Sequence, residues 1–170
     1  MQRLLATVGK IKDIEKRREV YAFIALSFFA GIRRCEILAL KPEDFHYNDA
    51  YPYIRVSRAK GASRGRRGRM VPLEQISADI LKAACPKKPP QISEDISDIM
   101  ETLYDASNIK DAHNIARHSF ITYHVAKYGD EQRTITICGT SKDMAAFHYK
   151  GLATKSQAED YFSLCVPSDV

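Results

Sequence analysis

Residues 13–31, DIEKRREVYAFIALSFFAG, constrain this chain more than any other stretch. The run is charged at first and then strongly apolar. That order predicts one helix that starts exposed and ends buried, stopped by Gly31. With 170 residues the chain is long enough for a single domain whose core needs no disulfide or metal staple. A composition of 45% hydrophobic and 28% charged residues excludes long disorder, collagen-like sequence and low complexity. No apolar run reaches the roughly 18 residues of a membrane-spanning helix. The start, MQRLLATVGKIKD, lacks the apolar core of a signal peptide, so a cytoplasmic protein is expected. Cysteines 35, 85, 138 and 165 form no CxxC pair and are expected to be reduced thiols rather than metal ligands.

The remaining segments read as short helices around one hairpin. Residues 33–40, RRCEILAL, carry apolar Ile37, Leu38 and Leu40 and predict a second short helix ended by Pro42. YIRVSR, from Tyr53, and MVPL, from Met70, flank a Gly- and Arg-rich gap, the pattern of a β-hairpin with a long basic turn. Helices are then expected over 77–85, from a cap at Ser93 through 107, and over 115–127, 131–138, 142–149 and 154–164. Gly129, Gly139 and Gly151 punctuate the last four. The expected fold is mainly α with a small antiparallel hairpin or sheet, an α+β domain. No repeat is visible, and the Pro-rich connector PKKPPQ is too short to mark a domain boundary, so residues 1–170 are read as one domain.

Charge is distributed very unevenly. The chain holds 26 basic and 21 acidic residues, a net +5. Residues 58–69, RAKGASRGRRGR, contribute six basic groups and no acid; without them the balance is 20 against 21. A basic patch on a near-neutral body points to a polyanion, most often nucleic acid. The plainer reading is a solvated loop without a specific partner.

Three places concentrate unusual residues. In Gly31-Ile32-Arg33-Arg34-Cys35-Glu36, an arginine at a helix start beside a buried segment needs an anion, either Glu36 or a bound phosphate. His113-Asn114-Ile115-Ala116-Arg117-His118 opens an otherwise apolar helix. Such an N-terminus attracts anions and Arg117 can add a fork, unless Asn114 is only a cap and the histidines only surface groups. In Phe147-His148-Tyr149-Lys150-Gly151, a tyrosine near a helix end is in isolation a packing residue.

In this order the pieces resemble the catalytic domain of the tyrosine recombinases, the phage-integrase family. GIRRCEILALKPEDF is similar to that family's first-arginine motif, with a glutamate three residues on and an acidic, proline-containing turn. IRVSRAKGASRGRRGRMVPL is similar to its hairpin, and NIARHSFITYHVAKYGD to its second-arginine helix. TICGTSKDMAAFHYKGLATKSQAEDYF is similar to the segment that carries the nucleophilic tyrosine. The resemblance implies catalytic roles for Arg33, Lys60, Arg117 and Tyr149, with Glu36 buttressing Arg33. Where the family usually has histidine, this chain has Asn114, preceded by His113, and Thr140, preceded by Gly139.

The family breaks and rejoins DNA through a 3′-phosphotyrosine without a metal or nucleotide cofactor. Two guanidiniums then neutralise the charge that spreads over the phosphoryl oxygens. A phenol titrates near pH 10, so Tyr149 needs those cations and a proton acceptor, for which His113, His118 and His148 are all candidates. Lys60, the only lysine of the basic run, is the candidate acid for the departing 5′-oxygen. Arg58, Arg64, Arg66, Arg67 and Arg69 are assigned to backbone phosphates. The implied partners are double-stranded DNA and other protomers, four on the DNA, with a nucleoid-associated location and no membrane. The family's N-terminal clamping domain has no counterpart in these residues. A terminal tail like 154–164 docks on a neighbouring protomer in relatives; packing on its own domain is the plainer expectation. Asn114 and Thr140 can hydrogen-bond but cannot take a proton as histidine does. They favour a second reading, a non-catalytic DNA-binding relative. A type IB topoisomerase would share the same residues.

Overall fold

Helix α2, Ile14–Phe28, is the axle of the structure, and every residue from Val20 to Phe28 is buried. This computed structural model describes residues 1–57, 68–109, 114–140 and 152–165. Asp13 starts α2 by accepting the Lys16 amide at 3.1 Å, leaving the charged first turns in solvent. The buried end is satisfied by neighbours. Tyr161 donates to the Phe28 carbonyl at 2.8 Å, Ser77 to Ala25 at 2.9 Å, and the Ile32 amide to Leu26 at 3.0 Å. These bonds supply partners for carbonyls that would otherwise be desolvated and bare.

The other elements wrap this axle. Helix α1, Gln2–Val8, buries Leu4, Leu5 and Val8 and was not expected from the sequence. Helix α3 is confined to Arg34–Ile37, shorter than the 33–40 helix expected. Lys41 precedes a proline and is extended at φ −111°, ψ 160°, which unwinds the preceding residues into i→i+3 turns. Pro42 then opens a 3₁₀ turn, Pro42–Asp44, instead of merely ending a helix. Strands β1 (Phe45–His46), β2 (Tyr53–Val56) and β3 (Arg69–Pro72) form an antiparallel sheet in the order β1-β2-β3. The register pairs Phe45 with Ile54 and Val56 with Arg69. The hairpin strands were expected; the two-residue β1 was not. Buried Asp44 accepts Arg55 at 3.0 Å and so fixes the turn to the sheet.

Helices α4 (Gln75–Ala84), α5 (Ile96–Ala106), α6 (Ile115–Tyr128), α7 (Glu131–Cys138) and α8 (Lys155–Phe162) complete the fold. It is mainly α with one small antiparallel sheet, as expected. Ser93 does not cap α5. Its amide donates to Glu19 on α2 at 2.7 Å and its hydroxyl is drawn to Glu19 and Asp95, while Asp95 occupies the cap position without a side-chain cap bond. Thr154 caps α8 by accepting the Gln157 amide at 3.2 Å. Ala158, Tyr161 and Phe162 of α8 are buried, and α8 packs on α6 of its own domain. The expected 142–149 helix lies outside the described residues. All four cysteines are free, Cys85 and Cys138 buried, Cys35 and Cys165 exposed. No helix among the described residues is long and apolar enough to cross a membrane.

A buried histidine places α7 against α6. Thr134 spends its hydroxyl proton on the Asp130 carbonyl at 2.9 Å, so His124 Nδ1 must donate to Thr134 Oγ1, 2.7 Å away. Burial holds the imidazole down at about 4, against an upward pull from Glu74, whose carboxylate is 3.9 Å from Nε2 and also binds Lys127 and Tyr128; Arg133 and Lys127 push downward. The folded state therefore refuses a proton that the unfolded chain takes up near its ordinary value of 6.5. Stability from this group is complete above that value and is lost as pH falls toward about 4. The shift corresponds to about 3 kcal/mol. Urea titrations at pH 7 and pH 4 should show His124→Asn losing less stability than the wild type over that interval.

Candidate functional site

The site begins where α2 stops. Gly31 sits at φ +64°, the left-handed region, and a Cβ there would lie 2.3 Å from Cδ1 of Phe120. Only glycine allows α6 to press this closely on the turn. The turn delivers Arg33 in extended conformation to the start of α3, where its amide donates to Glu36 Oε2 at 3.0 Å. Glu36 is thus fixed by backbone before its side-chain partners are considered.

Helix α7 prepares the opposite wall. Gly139 is left-handed at φ +60°, and the Thr140 amide donates to Ile135 and the Gly139 amide to Thr136, both at 3.2 Å. This is a Schellman termination. It uses the carbonyls of 135 and 136 and leaves those of Ile137, Cys138 and Gly139 pointing out of a helix end that carries partial negative charge.

Three guanidiniums close on those carbonyls. Arg69 Nε donates to Ile137 at 2.7 Å. Arg33 Nη1 and Arg117 Nη2 share the Cys138 carbonyl, at 3.3 and 2.7 Å. Arg33 Nη2 takes Gly139 at 2.8 Å, and Arg117 Nη1 takes Gly31 at 2.6 Å. Glu36 sits between, receiving Arg33 Nη1 at 3.2 Å and the two terminal nitrogens of Arg69 at 2.8 Å each. Burial pushes the Glu36 carboxyl up, but the Arg69 fork and then Arg33 overcome it and hold it at about 2. Burial, and more weakly the neighbouring Arg33 and Arg69, disfavour the charge on Arg117, which a guanidinium nevertheless keeps. Among the described residues the cluster holds three cations and one carboxylate. Two formal positive charges are therefore left facing neutral carbonyls, an arrangement that favours a bound anion.

The sequence-based candidates are distributed as follows. Arg33, Glu36 and Arg117 come together, so the anion of Arg33 in the structure is Glu36. Arg69 departs from its expected role as a phosphate contact: its fork is spent on Glu36 and Ile137, and its side chain is only 16% exposed. Strand alternation carried the signal, since Arg69 shares a face with buried Val71. Asn114 is exposed at the start of α6, left-handed at φ 57°, and makes no cap bond with its side chain. Thr140 is half-buried, one residue beyond the carbonyl that holds Arg33. His118 is exposed on the first turn of α6. Arg58, Lys60, Arg64, Arg66, Arg67, His113, His148 and Tyr149 lie outside the described residues. Among the described residues no three His, Cys, Asp or Glu side chains are placed to hold a metal.

Comparison with known proteins adds the fold. No family model matches this chain, and no curated protein does. The crystal structure of XerA recombinase is similar, with a TM-score of 0.65 over 94% of this chain and 18% sequence identity. The chain spans 59% of that recombinase's length. The likeness is one of fold.

Proposed function

We propose that this chain is the catalytic domain of a site-specific DNA recombinase or integrase, cleaving and rejoining duplex DNA through a 3′-phosphotyrosine on Tyr149. The observation that carries the reading is the single Cys138 carbonyl shared by Arg33 and Arg117 at 3.3 and 2.7 Å. Two cations from distant parts of the chain are held within reach of one oxygen, Arg117 by neutral carbonyls and Arg33 by carbonyls and Glu36. A phosphodiester placed there would meet both forks, and the charge that develops on its non-bridging oxygens would be met without reorganisation.

Arg33 and Arg117 bind and orient the scissile phosphate in this mechanism. The Tyr149 oxygen forms the bond to phosphorus as the bond to the 5′-oxygen breaks. The phenol proton passes to a nearby base, and Lys60 supplies a proton to the departing 5′-oxygen. The covalent bond conserves the phosphodiester energy, so rejoining reverses the steps without ATP. Asn114, three residues before Arg117, and Thr140, one residue after the Gly139 carbonyl that holds Arg33, serve as hydrogen-bond donors to the phosphoryl group. Arg58, Arg64, Arg66 and Arg67 contact the DNA backbone, and the working assembly is four protomers on two duplexes.

The test is a duplex nicked beside the cleavage position, incubated with protein and resolved on a denaturing gel. The wild type should give a covalent protein–DNA band and Tyr149→Phe should give none. A protein that binds the duplex without such a band is a non-catalytic relative.

A further inference from the structure

We propose that Arg69 is a positioning residue, tying strand β3 of the basic hairpin to the Arg33 turn so that the seating of the hairpin sets Arg33. The inference rests on the recombinase reading for its catalytic consequence but not for its structural one. Arg69 is the first residue of β3 and pairs with Val56, so it stands at the end of the paired strands nearest in sequence to Lys60. Its Nη1 and Nη2 each reach a Glu36 oxygen at 2.8 Å, and its Nε reaches Ile137 at 2.7 Å. Glu36 in turn holds Arg33 twice, by amide and by side chain. The chain of contacts therefore runs from the hairpin through Arg69 and Glu36 to Arg33, with a branch to α7.

The cradle is fitted to a guanidinium. A Cβ at Gly139 would lie 3.2 Å from Arg69 Nη1 and 3.3 Å from Cζ, so the arginine lies flat against bare backbone. A lysine could keep one ionic contact with Glu36 but could not make the fork and the Ile137 bond together. Displacing Arg69 would leave Glu36 held only through Arg33, and Arg33, still on the Cys138 and Gly139 carbonyls, would be less firmly oriented while keeping its charge. A phosphate-contacting Arg69 would behave differently: its loss would weaken DNA binding and reduce the salt dependence, without altering the bound complex.

Two readouts separate these. The first is covalent-adduct formation at saturating nicked duplex, beside duplex affinity by fluorescence anisotropy. Arg69→Gln should slow adduct formation about 100-fold and Arg69→Lys about 10-fold, with affinity changed less than about threefold. An affinity loss with an unchanged saturated rate would overturn the proposal. The second is the nitrogen-15 spectrum of the arginine side chains in free protein, with Arg33 assigned by Arg33→Lys. Arg33 should show restrained, separate Nη signals in the wild type that average in Arg69→Gln and sharpen partly in Arg69→Lys. Unchanged Arg33 signals in both variants would overturn the tie, whether or not any adduct forms. Altered Arg33 signals in a protein that forms no adduct would support the tie and remove the recombinase reading.

Discussion

Arg117→Ala should slow covalent strand cleavage by about a thousandfold at saturating DNA, the scale of losing one preorganised cation opposite a developing phosphoryl charge. The same substitution has a structural consequence. Arg117 bridges the Gly31 carbonyl, at 2.6 Å, and the Cys138 carbonyl, at 2.7 Å, and so it braces the turn before α3 against the end of α7. The Gly31 carbonyl would lose its partner while Cys138 keeps Arg33, so unfolding free energy should fall by about 1–3 kcal/mol. Arg117→Lys separates the two effects. It keeps a charge but cannot fork onto two carbonyls, and should lose at least tenfold in rate with a smaller loss of stability. Single-turnover adduct formation and urea denaturation measure the pair. A normal rate in Arg117→Ala would remove this residue from the mechanism.

Gly31→Ala should be among the most damaging single-methyl changes in the chain. The methyl would meet the Phe120 ring at 2.3 Å, in a backbone conformation of φ +64° that alanine resists. Left-handed backbone costs about 1 kcal/mol and forced overpacking about 1–3 more, so a loss of about 3 kcal/mol is expected. Gly129→Ala is the control. Its φ is +66° but nothing lies within 4 Å of its Cβ position, so only the conformational part, about 1 kcal/mol, should appear. Trimming the ring should restore part of the loss, so that Gly31→Ala and Phe120→Ala are markedly non-additive in urea denaturation. Because Gly31 also presents the carbonyl that holds Arg117, the rate of strand cleavage should fall with stability.

Legibility in the sequence followed the length and strength of each local signal. The buried run of α2 and the helix 131–138, bracketed by Asp130 and Gly139, were readable because apolar pattern and end signals agree. Helix α1 was not, since its seven residues carry no cap and are ordered by packing on α5 and α2. Strand β1 has two residues and exists only through its pairing with β2. Ser93 had the form of a cap, but an acceptor on α2, Glu19, outcompeted the local backbone, and no spacing in the sequence announces a partner 74 positions away. The site divides in the same way. Arg33 with Glu36 is a local motif and was legible at three residues' separation. That Arg69 would join them, rather than serve as the phosphate contact expected of the basic run, depended on strand register and on the three carbonyls left open at the end of α7. The shared Cys138 carbonyl is a wholly tertiary feature.

The most direct measurement is the identity of the residue that carries DNA. Wild-type protein trapped on nicked duplex would be digested with protease and nuclease, and the linked peptide sequenced by mass spectrometry. A 3′-phosphonucleotide on Tyr149 is the predicted result, absent in Tyr149→Phe and strongly reduced in Arg117→Ala. A nucleotide on any other side chain, or none on a protein that binds the same duplex, would contradict the assignment of this fold to phosphotyrosine chemistry.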